Sequence, residues 1–341
     1  MTDYKNIDAL LQGLLEGFNP KQQKVILRRF GLKSGECATL QEIGDELGVT
    51  RERIRQIEED TLKKLEPRVT DAAGPVVSFA STHLDQSGGV RRDDFLVGDI
   101  ASYIYPDTRA KHAHEKIRFF LTAAKTPLFE RENDDYHAFW YSNDEARTKF
   151  FNFVKGVMDF LQSTPEKTGP RYANYLATCN NFAECHYLNI PKSFGVNVFG
   201  DFGLRSSPEI EPRTVRDKAY LVLRKHAKPL HFGDIAKYVT RYGIDSKPAH
   251  VQTVHNELIK DKRFVLVGRG IYGLREQGFE PGTVREVIAR ILKKKGPMQP
   301  HQVVKLVSEQ RFLKENTILL GLQNKRHFRE LHDGRFNVKE A

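Results

Sequence analysis

Cysteine is scarce. The 341 residues hold three, Cys37, Cys179 and Cys185. An odd, small number at irregular spacing does not make a disulfide framework, and it points to a reducing, cytoplasmic setting. Long apolar runs are also lacking. No stretch approaches the ~18 residues that a membrane span needs, and no signal peptide precedes the first helix, so no membrane role is expected. Catalytic sets are missing as well. No Ser-His-Asp group, carboxylate pair or phosphate-cradling loop stands out. The chain is therefore expected not to be an enzyme, with no catalytic residue, metal, cofactor or small-molecule substrate assigned.

What is present is charge, unevenly placed. Charged residues make up 29% and hydrophobic residues 39%, which suits a folded protein of two or more domains. The net charge is +10. Residues 213–341 hold 27 Lys and Arg against 13 Asp and Glu, whereas residues 1–212 hold 27 against 31. All of the positive surplus thus lies in the C-terminal part. Such a distribution favours contact with a polyanion, weakening as salt rises. A plain solubility charge is the alternative.

Residues 39–65, TLQEIGDELGVTRERIRQIEEDTLKKL, carry the strongest local pattern. Thr39 followed by Glu42 is a capping box. Ile43 and Leu47 give the first helix an apolar stripe, and Gly48 closes it with a tight turn. Thr50 caps a second helix. On that helix Ile54, Ile57, Leu62 and Leu65 fall on one side. Arg51, Glu52, Arg55, Gln56, Glu59 and Lys63 fall on the other. The pattern predicts a helix-turn-helix, whose second helix meets base edges in the major groove with its first residues. Arg and Gln can make paired hydrogen bonds to guanine and adenine there. Arg51, Glu52, Arg55 and Gln56 are the expected base readers. Thr50, Arg53 and Lys63 are the expected phosphate or positioning contacts. A charged, solvated face on an ordinary helical hairpin also fits the spacing. Glu58, Glu59 and Asp60 make the helix less basic than a purely DNA-driven one.

VTRERIRQIE, with FNPKQQKVILRRFGL at residues 18–32, resembles the fourth region of the bacterial housekeeping sigma factor over about residues 15–66. The resemblance implies a module that reads the upstream promoter hexamer in double-stranded DNA. It also implies docking on RNA polymerase core through the flap of the β subunit. Phe18, Val25, Leu27, Phe30 and Leu32 would form its core, and its exposed part the flap contact. A full sigma factor also melts DNA with a helix placed further upstream. Here residues 1–15 offer one short helix, so the expectation is promoter reading without independent initiation.

The C-terminal part repeats itself. Thr214-Val215-Arg216 returns as Thr283-Val284-Arg285, 69 residues on. Phe264, Gly270 and Tyr272 correspond to Phe328, Gly334 and Phe336 at a constant offset of 64. Each copy reads helix, helix, helix, hairpin, the order of a winged helix, with glycine at the hairpin tip. Residues 213–275 resemble the HARE-type helix-turn-helix of the RNA polymerase δ subunit, of chromatin regulators and of restriction systems. The resemblance rests on Pro229-Leu230-His231-Phe232, Ile235-Ala236 and the Arg269-Gly270-Ile271-Tyr272-Gly273-Leu274 wing. Residues 281–341 depart from it, with Pro300-His301 in place of His231-Phe232. Lys260, Lys262, Arg269, Lys325, Arg326 and Arg335 are the expected phosphate contacts of the two copies.

A third winged helix is expected at residues 74–143, with Ile117, Phe120 and Leu121 buried, Phe129 and Trp140 in its hairpin and an acidic tip at 130–135. Residues 144–212 read as a connector. An amphipathic helix carries Phe150, Phe151, Val154, Val157, Met158 and Leu161. A break at 164–170, a helix in TGPRYANYLATCNNFAECHYL, a Gly-rich segment and an extended linker at SSPEIEPR follow. The predicted fold is mainly α, a multi-domain array of helix-turn-helix and winged-helix modules with small β-hairpin wings. Its divisions are 1–68, 74–143, 144–212, 213–275 and 281–341.

Some motifs mislead. Gly268-x-Gly270-x-x-Gly273 spells a dinucleotide fingerprint, but strand-like flanks make it a wing. Asp201-Phe202-Gly203 lacks every companion of a kinase triplet. Cys179-x5-Cys185-His186 has no common zinc spacing. His226, His231, His250 and His255 fall at turns and helix starts, where they could cap, pack or touch phosphate. Two further functions stay open beside a nucleoid-associated, cytoplasmic transcription factor: a δ-like polymerase accessory for which DNA is secondary, and the DNA-recognition part of a restriction or repair system.

Overall fold

A computed structural model describes residues 7–104, 111–163, 168–171 and 182–339. The chain divides into two compact units, residues 1–166 with 173–194, and residues 167–172 with 195–341. It is mainly α, with helix-turn-helix and winged-helix modules and small antiparallel sheets. Among the described residues no helix is long and apolar enough to cross a membrane.

The first unit opens with α1 (Ile7–Leu15) and α2 (Pro20–Arg29). Asn19 and Gln22 exchange a capping box at the start of α2, and Pro20 sits where no backbone N–H is needed. In α3 (Leu40–Leu47) the Thr39–Glu42 box forms as the sequence predicts, and Gly48 closes the helix at φ 64°. Thr50 then caps α4 (Arg51–Ala72), its Oγ1 accepting from the Arg53 N–H at 3.2 Å.

Two cores meet on these helices. Val25, Ala38, Ile43, Ile54 and Ile57 close a small one inside the helix-turn-helix. Ile26, the next residue of α2, joins a larger one with Leu32, Leu65, Val69, Phe119, Phe120 and Trp140. Phe18, Leu27 and Phe30 pack against that larger core half-buried. Residues 1–68 and 74–143 therefore share a core rather than forming two separate bodies. The physical reason is α4, which runs 22 residues and carries Leu65 and Val69 across the expected boundary. Pro67 lies inside it but faces solvent, so it forfeits one backbone bond while its buried neighbours hold the helix together.

The rest of the first unit has winged-helix order: α5 (Gly74–Gln86), β1 (Val90–Arg92), α6 (Asp93–Ile104), α7 (Ala113–Ala124), β2 (Leu128–Glu130) and β3 (Phe139–Tyr141). The strands pair β1-β3-β2, with Phe129 opposite Trp140. The acidic tip contacts protein within the chain. Arg147 pairs with Glu130, Lys192 pairs with Glu132, and the Lys192 N–H donates to the Asp135 carbonyl. α8 (Asp144–Ser163) buries Phe150, Val154, Val157 and Leu161 on the predicted face. A 3₁₀ segment follows at Phe182–Asn189.

In the second unit β4 (Thr168–Arg171), β5 (Phe194–Val196) and β6 (Asp201–Leu204) form a sheet in the order β4-β6-β5. The helix expected from residue 168 is thus a strand at its start, where Gly169-Pro170 disfavours helical backbone, and 3₁₀ at its end. Residues 172–181 lie outside the described residues. The expected linker at 206–213 is instead folded turns. Ser207 and Ile210 are buried, and Asn197 Nδ2 donates to the Glu209 carbonyl at 2.9 Å. An apolar Ile210 between the two prolines fixes the segment, which composition alone does not reveal.

Two winged helices follow. The first comprises α9 (Val215–His226), β7 (Leu230–His231), α10 (Phe232–Arg241), α11 (Val251–Lys260), β8 (Phe264–Gly268) and β9 (Ile271–Leu274), with strand order β7-β9-β8. That order matches β1-β3-β2 of the first unit. The second comprises α12 (Val284–Lys295), α13 (Pro300–Gln310), α14 (Glu315–Leu322), β10 (Phe328–Glu330) and β11 (Phe336–Val338), with a lone Met298–Phe336 bridge where β7 stands in its sister. Thr214 and Thr283 open the copies with capping boxes to Asp217 and Glu286. Gly270 and Gly334 turn the hairpins at φ 70° and 77°.

The two copies are joined through Arg311 and Phe312. The Phe312 N–H donates to the Val267 carbonyl at 2.7 Å beside β8. Arg311, 3% exposed, donates to the carbonyls of Leu266, Glu280 and Gly282 at 3.1, 2.6 and 2.9 Å.

Candidate nucleic-acid interface

The outer face of α4 gathers the residues that the sequence singles out. Arg51, Glu52, Arg53, Arg55, Gln56 and Lys63 are all exposed, as is the capping Thr50. Ile54 and Ile57 hold the opposite face in the small core, so the polar face has one way to point. The turn that sets the helix is tight. A Cβ at Gly44 would come 2.7 Å from the Val49 carbonyl, so α3 approaches the turn as only glycine allows.

Most of these side chains already have partners. Glu52 pairs with Arg55 at 2.7 Å, and Arg55 also reaches Glu59. Arg53 Nη1 donates to Gln56 Oε1 at 3.1 Å. The hydrogen bond from Arg55 holds the Glu52 carboxyl below the usual carboxylate range, and the same pair raises Arg55. Arg51 makes no ion pair among the described residues. Solvent-exposed pairs of this kind contribute little and give way to a bidentate base contact.

A second layer braces the motif, and sequence reasoning missed it. Lys24 and Arg28 on α2 both reach Glu46 on α3, at 2.9 and 3.2 Å. The bond from Lys24 leads in lowering the Glu46 carboxyl. Arg29 ties α2 to Glu58 on α4 at 3.3 Å and donates to the Ala38 carbonyl at 3.2 Å. The available signal was the basic spacing at 24, 28 and 29 on a helix whose apolar side is already spent.

In the second unit the named cations scatter along two modules. Lys260 ends α11 and pairs with Glu257, Lys262 follows it, and Arg269 is exposed at the wing tip. Arg335 at the other wing pairs with Asp333. Lys325 and Arg326 are exposed between α14 and β10. Arg326 shares a depression of about 620 Å³ with Arg285, Lys293 and Lys339, three cations not singled out in sequence. The outer face of α11 exposes Gln252, Thr253 and Asn256, and the Gln252 amide donates to Asn256 at 3.2 Å. Its legible signal was a pair of amides four residues apart.

The remaining motifs resolve into structure. Gly268 and Gly270 belong to the β8–β9 hairpin, as the strand-like flanks predict. His231 caps α10, His226 bonds to the Tyr242 hydroxyl, His255 stacks on Phe232, and His250 precedes α11 without a side-chain cap. Cys179 lies outside the described residues, Cys185 is buried, and Arg91 donates to His186 Nδ1. Among the described residues no three His, Cys, Asp or Glu side chains gather as a metal site requires.

Comparison with known proteins follows the same division. Residues 14–66 match the family model described as Sigma-70, region 4. Residues 213–277 match the HARE-HTH family model, described as a helix-turn-helix domain of ASXL and restriction endonuclease proteins. Over 62 residues the chain is 45% identical to RNA polymerase sigma factor SigA of Clostridium acetobutylicum, covering 18% of this chain and 16% of that protein. It is 47% identical over 62 residues to RNA polymerase sigma factor RpoD of Helicobacter pylori, covering 18% and 9%. The chain spans less than a fifth of the length of these curated relatives. A sigma region-4 helix-turn-helix and a HARE-type winged helix are thus joined in one polypeptide.

Proposed function

We propose that this protein is a non-enzymatic, sigma-like transcription factor that binds promoter DNA and works with RNA polymerase in the cytoplasm. The observation that carries the reading is the exposed face of α4, anchored by two cores and seated in a segment that matches sigma region 4. Arg51, Glu52, Arg55 and Gln56 read bases, with Arg51 the side chain readiest to do so. Thr50, Arg53 and Lys63 position the helix on the phosphates. Lys260, Lys262, Arg269 and Arg326 add sequence-independent grip, consistent with the basic C-terminal part. Polymerase is met through the exposed side of α1–α3, with the β-subunit flap as the contact.

The test is binding of the full chain to promoter duplexes, with and without polymerase core, across a salt series. Arg51→Ala with Gln56→Ala is expected to erase most sequence preference, as each lost base contact is worth about 1–3 kcal/mol, while non-specific binding persists. Unchanged preference in that variant rejects base reading by α4. A second reading, a δ-like accessory for which DNA is secondary, draws on the internal pairing of Arg55 and on Glu58, Glu59 and Asp60. Retained polymerase binding without any promoter preference is the result that favours it.

A further inference from the structure

The two C-terminal winged helices present different chemistry on their third helices. α11 exposes Gln252, Thr253, Asn256 and Lys260. α14, ENTILLGL, has no basic residue, carries Glu315 in its first turn, and leaves Leu320 70% exposed. A phosphate backbone is repelled by Glu315 and gains nothing from Leu320. Gln323, one turn beyond Leu320 on the same face, borders a groove of about 780 Å³. Its floor is Leu319, Leu322, Phe328 and Phe336. Its rim carries Lys325, Arg329 and Lys339 against a single carboxylate, Glu330. All three cations are exposed, and none is ion-paired among the described residues.

We propose that this groove is a docking site for an acidic amphipathic helix of a partner protein. An apolar stripe with residues at i, i+3 and i+4 fills the floor, and carboxylates flanking that stripe meet the rim. The charge complementarity decides the occupant. A second apolar surface alone would leave three cations facing it, and a nucleic acid would leave the floor and Leu320 unused. A small ligand would need polar groups converging inside the pocket, whereas here they stand at its mouth in solvent. The inference does not depend on α4 reading DNA. It assigns the C-terminal copy to protein contact while the copy before it keeps a polar face.

The test uses the full chain and three fluorescent probes. One is a synthetic helical peptide with leucine along one face and glutamate along the other. The second is a scrambled peptide of the same composition, and the third a duplex DNA. The amphipathic peptide is expected to bind at least tenfold tighter than the scrambled one. Lys325→Glu with Arg329→Glu is expected to weaken it about tenfold or more, chiefly through slower association. Leu320→Asp, at an exposed position that leaves the fold intact, is expected to weaken the peptide several-fold and leave duplex binding unchanged. Equal binding of the two peptides overturns the proposal. So does indifference to the charge reversal, or a loss of duplex binding in Leu320→Asp that matches the loss of peptide.

Discussion

Arg91 donates one guanidinium N–H to His186 Nδ1 and another to Asp99, joining the sheet of the first winged helix to the 3₁₀ segment that packs on it. A ring nitrogen that accepts from arginine cannot hold a proton. Burial first, and then Arg91, lower the His186 pKa accordingly. His83 and Asp99 complete the cluster. In the unfolded chain the ring takes its proton near pH 6.5. Below that pH the unfolded state binds more protons than the native one, so stability falls until the native ring also titrates. The contribution is therefore whole above about pH 6.5 and is lost on acidification. Melting of the full chain between about pH 7 and pH 5 should show a first-unit midpoint that falls with acid, and His186→Gln should flatten part of that slope. An unaltered slope would mean the ring titrates normally. None of this was visible in sequence, where His186 stood out only as a neighbour of Cys185. The arginine that controls it is 95 residues away.

At the scale of elements, the helix-turn-helix is the best-specified piece, because each of its signals acts within four residues. Thr39 with Glu42, Gly48 and Thr50 all serve as their chemistry predicts. Gly44 was not singled out, since its requirement comes from the turn folding back on it. The two glycines give a paired prediction. Gly44→Ala puts a methyl against the Val49 carbonyl and should destabilise by about 1–3 kcal/mol through displacement of the turn. Gly48→Ala meets no atom within 4 Å and should cost about 1 kcal/mol, from left-handed backbone alone. Denaturant unfolding of both variants checks the order, and promoter binding should suffer more in the first. The winged helices were legible for a related reason: capping threonines, tip glycines and strand aromatics recur at fixed offsets. Elements decided by distant packing were not. Ile210 turns an apparent linker inward, and β4 exists because β6 lies beside it.

For the molecule as a whole, the largest departure from the sequence reading concerns boundaries. The C-terminal copies look like beads on a string until Arg311 is seen with three carbonyls around it. A rule that places arginine in solvent cannot find such a residue, and burial lowers its pKa from the ordinary value. Arg311→Ala leaves those acceptors without a donor, each costing roughly 1–3 kcal/mol if water does not reach it. The second unit of the variant is expected to melt earlier and in two steps rather than one, by calorimetry of the full chain. A single unshifted transition would show that Phe312 and its neighbours suffice to join the copies.

The uninterrupted course of α4 bears on how such a chain can change over generations. The sigma-like match ends at residue 66, yet the helix continues to Ala72. A flexible tether absorbs insertions and deletions, but a helix converts each into rotation, about 100° per residue. One residue gained beyond Ile57 would swing Leu65 and Val69 out of the larger core. Substitution can re-aim this reader, while length in α4 is closed to variation. Divergence in target choice must therefore be written in the identities of residues 50–56 and not in the spacing behind them.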